Sequence, residues 1–322
     1  MLQRPRGIHW AMLGYLCLAW GFAFLLIAVA LPSFPPLTLV TLRLGVGALA
    51  LYLIMRYQGL SLPTERRWWL HFSLLTIMGN LIPFTLISWA EVHITSGQAG
   101  LLMALMPIST MVLAHYFVEH EQLTPRRVLG ILAGFAGVAV LVGGDALAGL
   151  GGAGLVAQLA VIAATFSYAI NSVYTKRLPP INGLVAATGS LMIGTLIMLP
   201  FSLFIEHAWQ LQPTAGAWLA ATALGLLSTG LATWVYFLVV SDCGPGFLSL
   251  CNYIIPAVSF AAGALLLGEP VSGWQFLGLI VVCGGIAISQ PRQTSRQNPG
   301  SRTGPDAAAP AHLDPPGHRR SP

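Results

Sequence analysis

The sequence predicts an all-α integral membrane protein of ten transmembrane helices, built as two inverted five-helix repeats. Three observations carry that expectation. The 322-residue chain is 56% apolar and 8% charged, with a mean hydropathy of +0.75, whereas soluble domains average roughly half apolar and a quarter charged. Apolar stretches follow one another along it, each near the ~20 residues a helix needs to cross a hydrocarbon core of about 30 Å. A ten-residue word led by an acid occurs twice, Glu121-Gln-Leu-Thr-Pro-Arg-Arg-Val-Leu-Gly130 and Glu269-Pro-Val-Ser-Gly-Trp-Gln-Phe-Leu-Gly278, 148 positions apart.

The first stretch covers about residues 9–30, after Arg4 and Arg6. Its Ala28-Val-Ala30 mimics a signal-peptide cleavage site, but the apolar run exceeds the usual length of about 7 to 15 residues, so it reads as a retained span. The second, about 36–55, contains Arg43 and is followed by Arg56, Arg66 and Arg67. The third, about 69–90, carries Asn80, Pro83 and Trp89 and stops at Glu91. The fourth, about 97–118, contains Pro107 and precedes Arg126 and Arg127. The fifth, about 128–144, is spaced by glycines, and the sixth, about 153–174, ends before Lys176 and Arg177. The seventh, eighth and ninth cover about 182–204, 216–239 and 246–267, the ninth containing Asn252, Tyr253 and Pro256. The tenth, about 272–290, precedes Arg292, Arg296, Arg302, Arg319 and Arg320.

The basic residues test this count, because cytoplasmic loops hold Lys and Arg and translocated loops do not. Of the 15 Lys and Arg, 14 fall on one side of a ten-span arrangement and Arg43 lies inside a span. Both termini are therefore expected in the cytoplasm, with the protein in the plasma membrane, the inner membrane of a bacterium.

Each acid-led word follows a proline by 13 or 14 positions, Pro256 or Pro107, and leads into a glycine-spaced apolar span. A period near 150 is too long for a solenoid unit and indicates duplication. Five spans per half make the halves enter the membrane from opposite faces, a recurrent construction of secondary transporters. The expected organisation is a cytoplasmic N-terminus at 1–8, a first repeat at 9–144, a second at 153–290 and a disordered cytoplasmic tail at 291–322. The tail is rich in Pro, Ser, Arg, Gly and Ala and has little to bury.

The net charge of +5 fits attraction to anionic lipid better than nucleic-acid binding. Cys17, Cys243, Cys251 and Cys283 fall in spans or at the inner surface, so no exported disulfide is expected. No Cys or His spacing suggests a metal, and no cofactor is expected. No Gly-x-x-x-x-Gly-Lys-Ser/Thr word occurs, which argues against ATP coupling in this chain.

Taken together, the two acid-led words, Pro107 and Pro256, Ala19-Trp-Gly21, Thr41-Leu-Arg43 and Phe166-Ser-Tyr-Ala169 resemble the EamA-type branch of the drug/metabolite transporter superfamily over about residues 10–290. That resemblance implies a proton- or gradient-linked carrier of small metabolites, often an exporter of amino acids or related compounds, with a central cavity lined by both halves. A related family of four-span carriers uses an intramembrane Glu in its first span for protons, and the first span here holds none.

Polar groups at membrane depth are the default site candidates. Arg43, about 10 Å into its span at 1.5 Å per residue, is either an anchor for a carboxylate, a charge lock between halves, or a structural cation. Glu91 is a candidate partner or proton carrier, or an interfacial end residue. Asn80, Asn171 and Asn252 can hydrogen-bond a solute or hold helices together. Trp20, Trp89 and Trp234, with Tyr168, Tyr174, Tyr236 and Tyr253, are candidate pathway or packing aromatics. Trp10, Trp68, Trp69, Trp209 and Trp218 fall near span ends, as belt anchors do. Pro83, Pro107 and Pro256 are expected hinges or kinks, and Glu121 and Glu269 read as caps where their own helices start, with ion coupling the alternative. Gly130, Gly134, Gly137, Gly278, Gly284 and Gly285 make smooth faces for contact within the fold or in a homodimer, so monomer and homodimer both stay open.

Secondary transport is the favoured function. A membrane-embedded transferase would want an acid or His cluster in a long loop, and the longest internal loop is about a dozen residues. A non-transporting scaffold would need no matched, inverted halves.

Overall fold

The computed structural model describes residues 5–117, 124–147, 152–248 and 250–289. Glu121 and the tail from 291, for which a cap and disorder were expected, lie outside the described residues. All regular structure among the described residues is helical. The long helical segments are α1 (Gly7–Ala30), α2 (Pro36–Tyr57), α3 (Arg66–Ala90), α4 (Ser96–Phe117), α5 (Pro125–Leu147), α6 (Ala153–Lys176), α7 (Gly183–Phe204), α8 (Ala215–Cys243), α9 (Cys251–Leu266) and α10 (Gly273–Ser289), with single turns at Ala208–Gln210 and Pro245–Leu248. Among the described residues, seven (α1 to α4 and α6 to α8) are long and apolar enough to cross a membrane, and α9 and α10 are shorter apolar helices.

Local chemistry fixes several starts. Thr95 and Gln98 cap α4 reciprocally, each side chain bonding the other's backbone N–H, which satisfies two otherwise orphaned donors. Asn182 and Thr214 accept from the first turns of α7 and α8, and Pro36 opens α2 where a missing N–H costs nothing. Ser272 and Gln275 form a second reciprocal cap at α10.

Three helices change register inside. α3 contains a π turn at Ile77–Leu81, α8 a longer one at Leu224–Leu231, and α4 a 3-10 turn at Met103–Leu105, two residues before Pro107. Pro83 follows the first π turn directly, in the opening turn of the helix that resumes there.

Helix α5 packs along α10, α2 along α7 and α4 against α9, while α1 packs on α8 and α9, and α6 on α3 and α4. The glycine faces of α5 and α10 meet each other. A Cβ placed on Gly285 would lie 2.7 Å from the Gly130 oxygen and the Gly134 nitrogen, and one on Gly137 would strike Val282. These glycines are thus spent inside the fold, where two backbones approach too closely for any side chain.

Candidate functional site

A cavity of about 500 Å³ opens between the helices. Side chains of α1, α2, α3, α4, α6, α8 and α9 line it, and none from the described parts of α5, α7 or α10 does. Of the residues singled out in the sequence, Trp20, Arg43, Asn80, Pro107, Tyr168, Tyr236, Asn252 and Pro256 reach its wall.

The register changes put polar groups there. An α-helix hides its backbone bonds, but a π turn widens one turn and presents an extra residue, often at functional sites. The π turn of α3 brings Gly79 and Asn80 to the cavity, and that of α8 brings Ser228 and Thr229. Both are tied down from a neighbouring helix: Ser167 of α6 donates to the Met78 carbonyl at 2.8 Å, and Ser228 donates to the Ala19 carbonyl of α1 at 2.6 Å.

Arg43 is 7% exposed. Its Nε donates to Thr229 Oγ1 at 2.8 Å, and its guanidinium carbon sits 3.6 Å over the centroid of the Phe84 ring. Thr229 in turn donates to the Leu224 carbonyl, a reach of five residues that the π register permits. The approach of α2 to α8 that allows this contact depends on Gly47 and Gly225: a Cβ on Gly225 would lie 3.0 Å from the Arg43 carbonyl oxygen, and one on Gly47 3.2 Å from that of Gly225. Among the described residues no carboxylate lies within salt-bridge distance of Arg43. Burying a cation without a counter-ion is costly, and a guanidinium fork open to a cavity is complementary to a carboxylate. Phe84, Trp20, Met103 and Met106, which also line the cavity, suit an apolar body attached to that group.

The remaining candidates lie elsewhere. Trp89 stacks near His93 at the end of α3 and is 36% exposed. Trp234 packs with the apolar cluster around Leu184 and Leu191. Asn171 lies against Gly79, whose added Cβ would come within 2.7 Å of its amide nitrogen. Tyr253, next to Asn252, is rotated about 100° around the helix and packs, with Ile255, against the apolar cluster that includes Ile27 and Leu105. Tyr174 pairs with His71 at 2.7 Å. Trp68, read as a belt anchor, is instead buried beside His71 and Phe72.

Glu91, the residue after α3, is buried in the protein and does not pair with Arg43; both carboxyl oxygens lack a hydrogen-bond partner. Burial holds this carboxyl well above the usual carboxylate range, the negative Glu269 adds to the rise, and Arg43 opposes it.

Glu269 is a cap, but not of the helix it leads into. It accepts from the backbone N–H groups of Ser96 and Gly97, at 2.8 and 2.9 Å, at the start of α4. The reason is that Ser272 and Gln275 already close α10, leaving the carboxylate free for the positive end of α4. Glu206, not singled out in the sequence, does the same for α2 through Leu37 and Thr38. Thr229 and Ser228 also escaped sequence reading; the signal was the small polar run Ser228-Thr229-Gly230 in the middle of an apolar span.

The model of the EamA-like transporter family matches residues 5–143 and 155–289. The "Uncharacterized transporter YoaV" of Bacillus subtilis (strain 168) is 26% identical over 273 residues, covering 84% of this chain and 93% of that protein. A "Probable terminal-alkyne amino-acid exporter" of Streptantibioticus cattleyicolor is 26% identical over 288 residues, covering 88% and 94%. The "Uncharacterized inner membrane transporter YedA" of Escherichia coli (strain K12) is 24% identical over 270 residues, covering 83% and 86%. One crystal structure shares the fold with a TM-score of 0.66 at 22% identity, over 88% of this chain and 97% of that one.

Proposed function

The chain belongs to the EamA-like transporter family, and on that premise we propose that it is a secondary active exporter of small carboxylate-bearing metabolites, such as amino acids or related compounds. The observation that carries this reading is Arg43, a cation buried at a cavity wall with no acidic partner among the described residues. The exporter name of the Streptantibioticus relative is in keeping with it.

In this reading ten spans form two inverted repeats in the bacterial inner membrane, with both termini cytoplasmic, and the halves rock to open the cavity to each side in turn. The packing supports such a duplication. Exchanging α1 with α6, α2 with α7, α3 with α8, α4 with α9 and α5 with α10 turns the α1–α8 and α1–α9 contacts into α6–α3 and α6–α4, and returns α2–α7, α4–α9 and α5–α10 to themselves. The π turns of α3 and α8 correspond under the same exchange.

Glu91 is the candidate proton carrier, since an unpartnered buried carboxyl can hold a proton in one state and release it in another. Asn80, Tyr168 and Asn252 contact the solute beside Arg43, and Trp20 forms an apolar wall. Uptake of labelled amino acids by proteoliposomes, with and without a pH gradient, tests this: solute movement that follows the gradient supports a proton-linked carrier, and none under either condition rejects a carrier.

A further inference from the structure

We propose that Cys17 and Cys251 form an oxidant-sensitive dithiol whose reversible bridging ties α1 to α9 at the cavity wall. Their Sγ atoms lie 3.2 Å apart although 234 positions separate them in the chain. Both thiols are free and buried, and Cys251 is among the residues that line the cavity, the side from which a small oxidant would approach. A disulfide needs sulfurs at about 2.05 Å, so the pair must close by about 1 Å. The other two cysteines, Cys243 and Cys283, are free as well and serve as internal references.

The oxidant is a hydroperoxide. One of the two sulfurs, as thiolate, attacks one peroxide oxygen, the O–O bond breaks, and the alcohol or water leaves with the thiol proton, giving a sulfenic acid. The other sulfur then attacks that sulfur, the S–S bond forms, the S–O bond breaks, and the hydroxyl leaves as water with the second thiol proton. Two thiols are oxidised by two electrons and one peroxide is reduced. Disulfides facing a reducing compartment are typically transient and redox-sensing, and this one would be undone by dithiol exchange.

The consequence rests on the alternating-access reading: α1 belongs to the first half and α9 to the second, so a covalent tie between them holds one arrangement. The test uses the full chain in proteoliposomes, treated with hydrogen peroxide and then with or without dithiothreitol. Samples are denatured, alkylated and digested for peptide mass mapping, with solute uptake measured in parallel. The expected result is a linked Cys17–Cys251 peptide, with Cys243 and Cys283 still alkylated, and uptake reduced about tenfold or more and restored by the reductant. Cys17→Ser and Cys17→Ala should keep their uptake under peroxide. Alkylated Cys17 and Cys251 after peroxide, full uptake by bridged protein, or equal inhibition of the Cys17 variants would each overturn the proposal. If untreated protein moves no solute, the carrier reading fails while the linked peptide still decides whether the dithiol bridges.

Discussion

Arg43 Nε and Thr229 Oγ1 meet across 2.8 Å although they stand 186 positions apart, joining α2 to the π turn of α8. The bond fixes a long cationic side chain at the cavity wall, and the Phe84 ring beneath it limits where the guanidinium can go.

Thr229→Val removes the acceptor while keeping the shape, leaving Arg43 Nε unpaired. A lost bond to a charged group costs about 1.5 to 3 kcal/mol, so thermal unfolding of detergent-purified protein should show a lower Tm. Thr229→Ser retains the hydroxyl and should restore most of it. Equal loss in both variants would mean that packing, not the hydrogen bond, sets the effect.

Glu206→Gln and Glu269→Gln should each cost about 1 kcal/mol, because each removes a charged cap from the start of another helix. Thermal melts of the two single variants and the double variant check this, and near-additive losses are expected since the two caps serve different helices.

These caps mark the limit of what the sequence reveals. Apolar runs of span length announce helices, and the expected 36–55 and 97–118 correspond closely to Pro36–Tyr57 and Ser96–Phe117, because burial in lipid and helix length are local properties. Glu269 could be read as a cap from its neighbours, but the helix it caps lies 173 positions away and only the packing identifies it. The π turns at Ile77–Leu81 and Leu224–Leu231 are similarly hidden, since their register is held by Ser167 and Ser228 bonds between helices. Arg43 stood out as an intramembrane charge; Thr229, an ordinary span hydroxyl, did not.

Gly285→Ala and Gly284→Ala make a matched pair on α10. An added Cβ at Gly285 meets backbone of Gly130 and Gly134, whereas at Gly284 it meets nothing within 4 Å. Gly285→Ala should destabilise by about 1 to 3 kcal/mol, and Gly284→Ala should stay within about 0.5 kcal/mol of wild type. Comparing the two Tm values decides whether the α5–α10 contact is as close in solution.

Glu91 sets a pH dependence. Its carboxyl is held above the usual range chiefly by burial, so the folded state keeps a proton that the unfolded chain releases. The contribution to stability is full below the unfolded carboxylate value and is lost as pH rises toward the raised folded value, at about 1.4 kcal/mol per pH unit. As pH rises above the unfolded carboxylate value, wild type should therefore lose stability. Glu91→Gln should lack that slope, and a parallel slope in the variant would assign it to another group.

The most direct measurement is uptake of labelled amino acids and their carboxamide analogues by proteoliposomes containing wild type or Arg43→Ala, with folded yield followed by size-exclusion chromatography. Saturable uptake of the carboxylates over the carboxamides by wild type, reduced about tenfold or more in Arg43→Ala at unchanged yield, is the expected outcome. Carboxylate uptake that is the same in both proteins, or no greater than in empty liposomes, would contradict the assignment of Arg43 as the anchor of a transported anion.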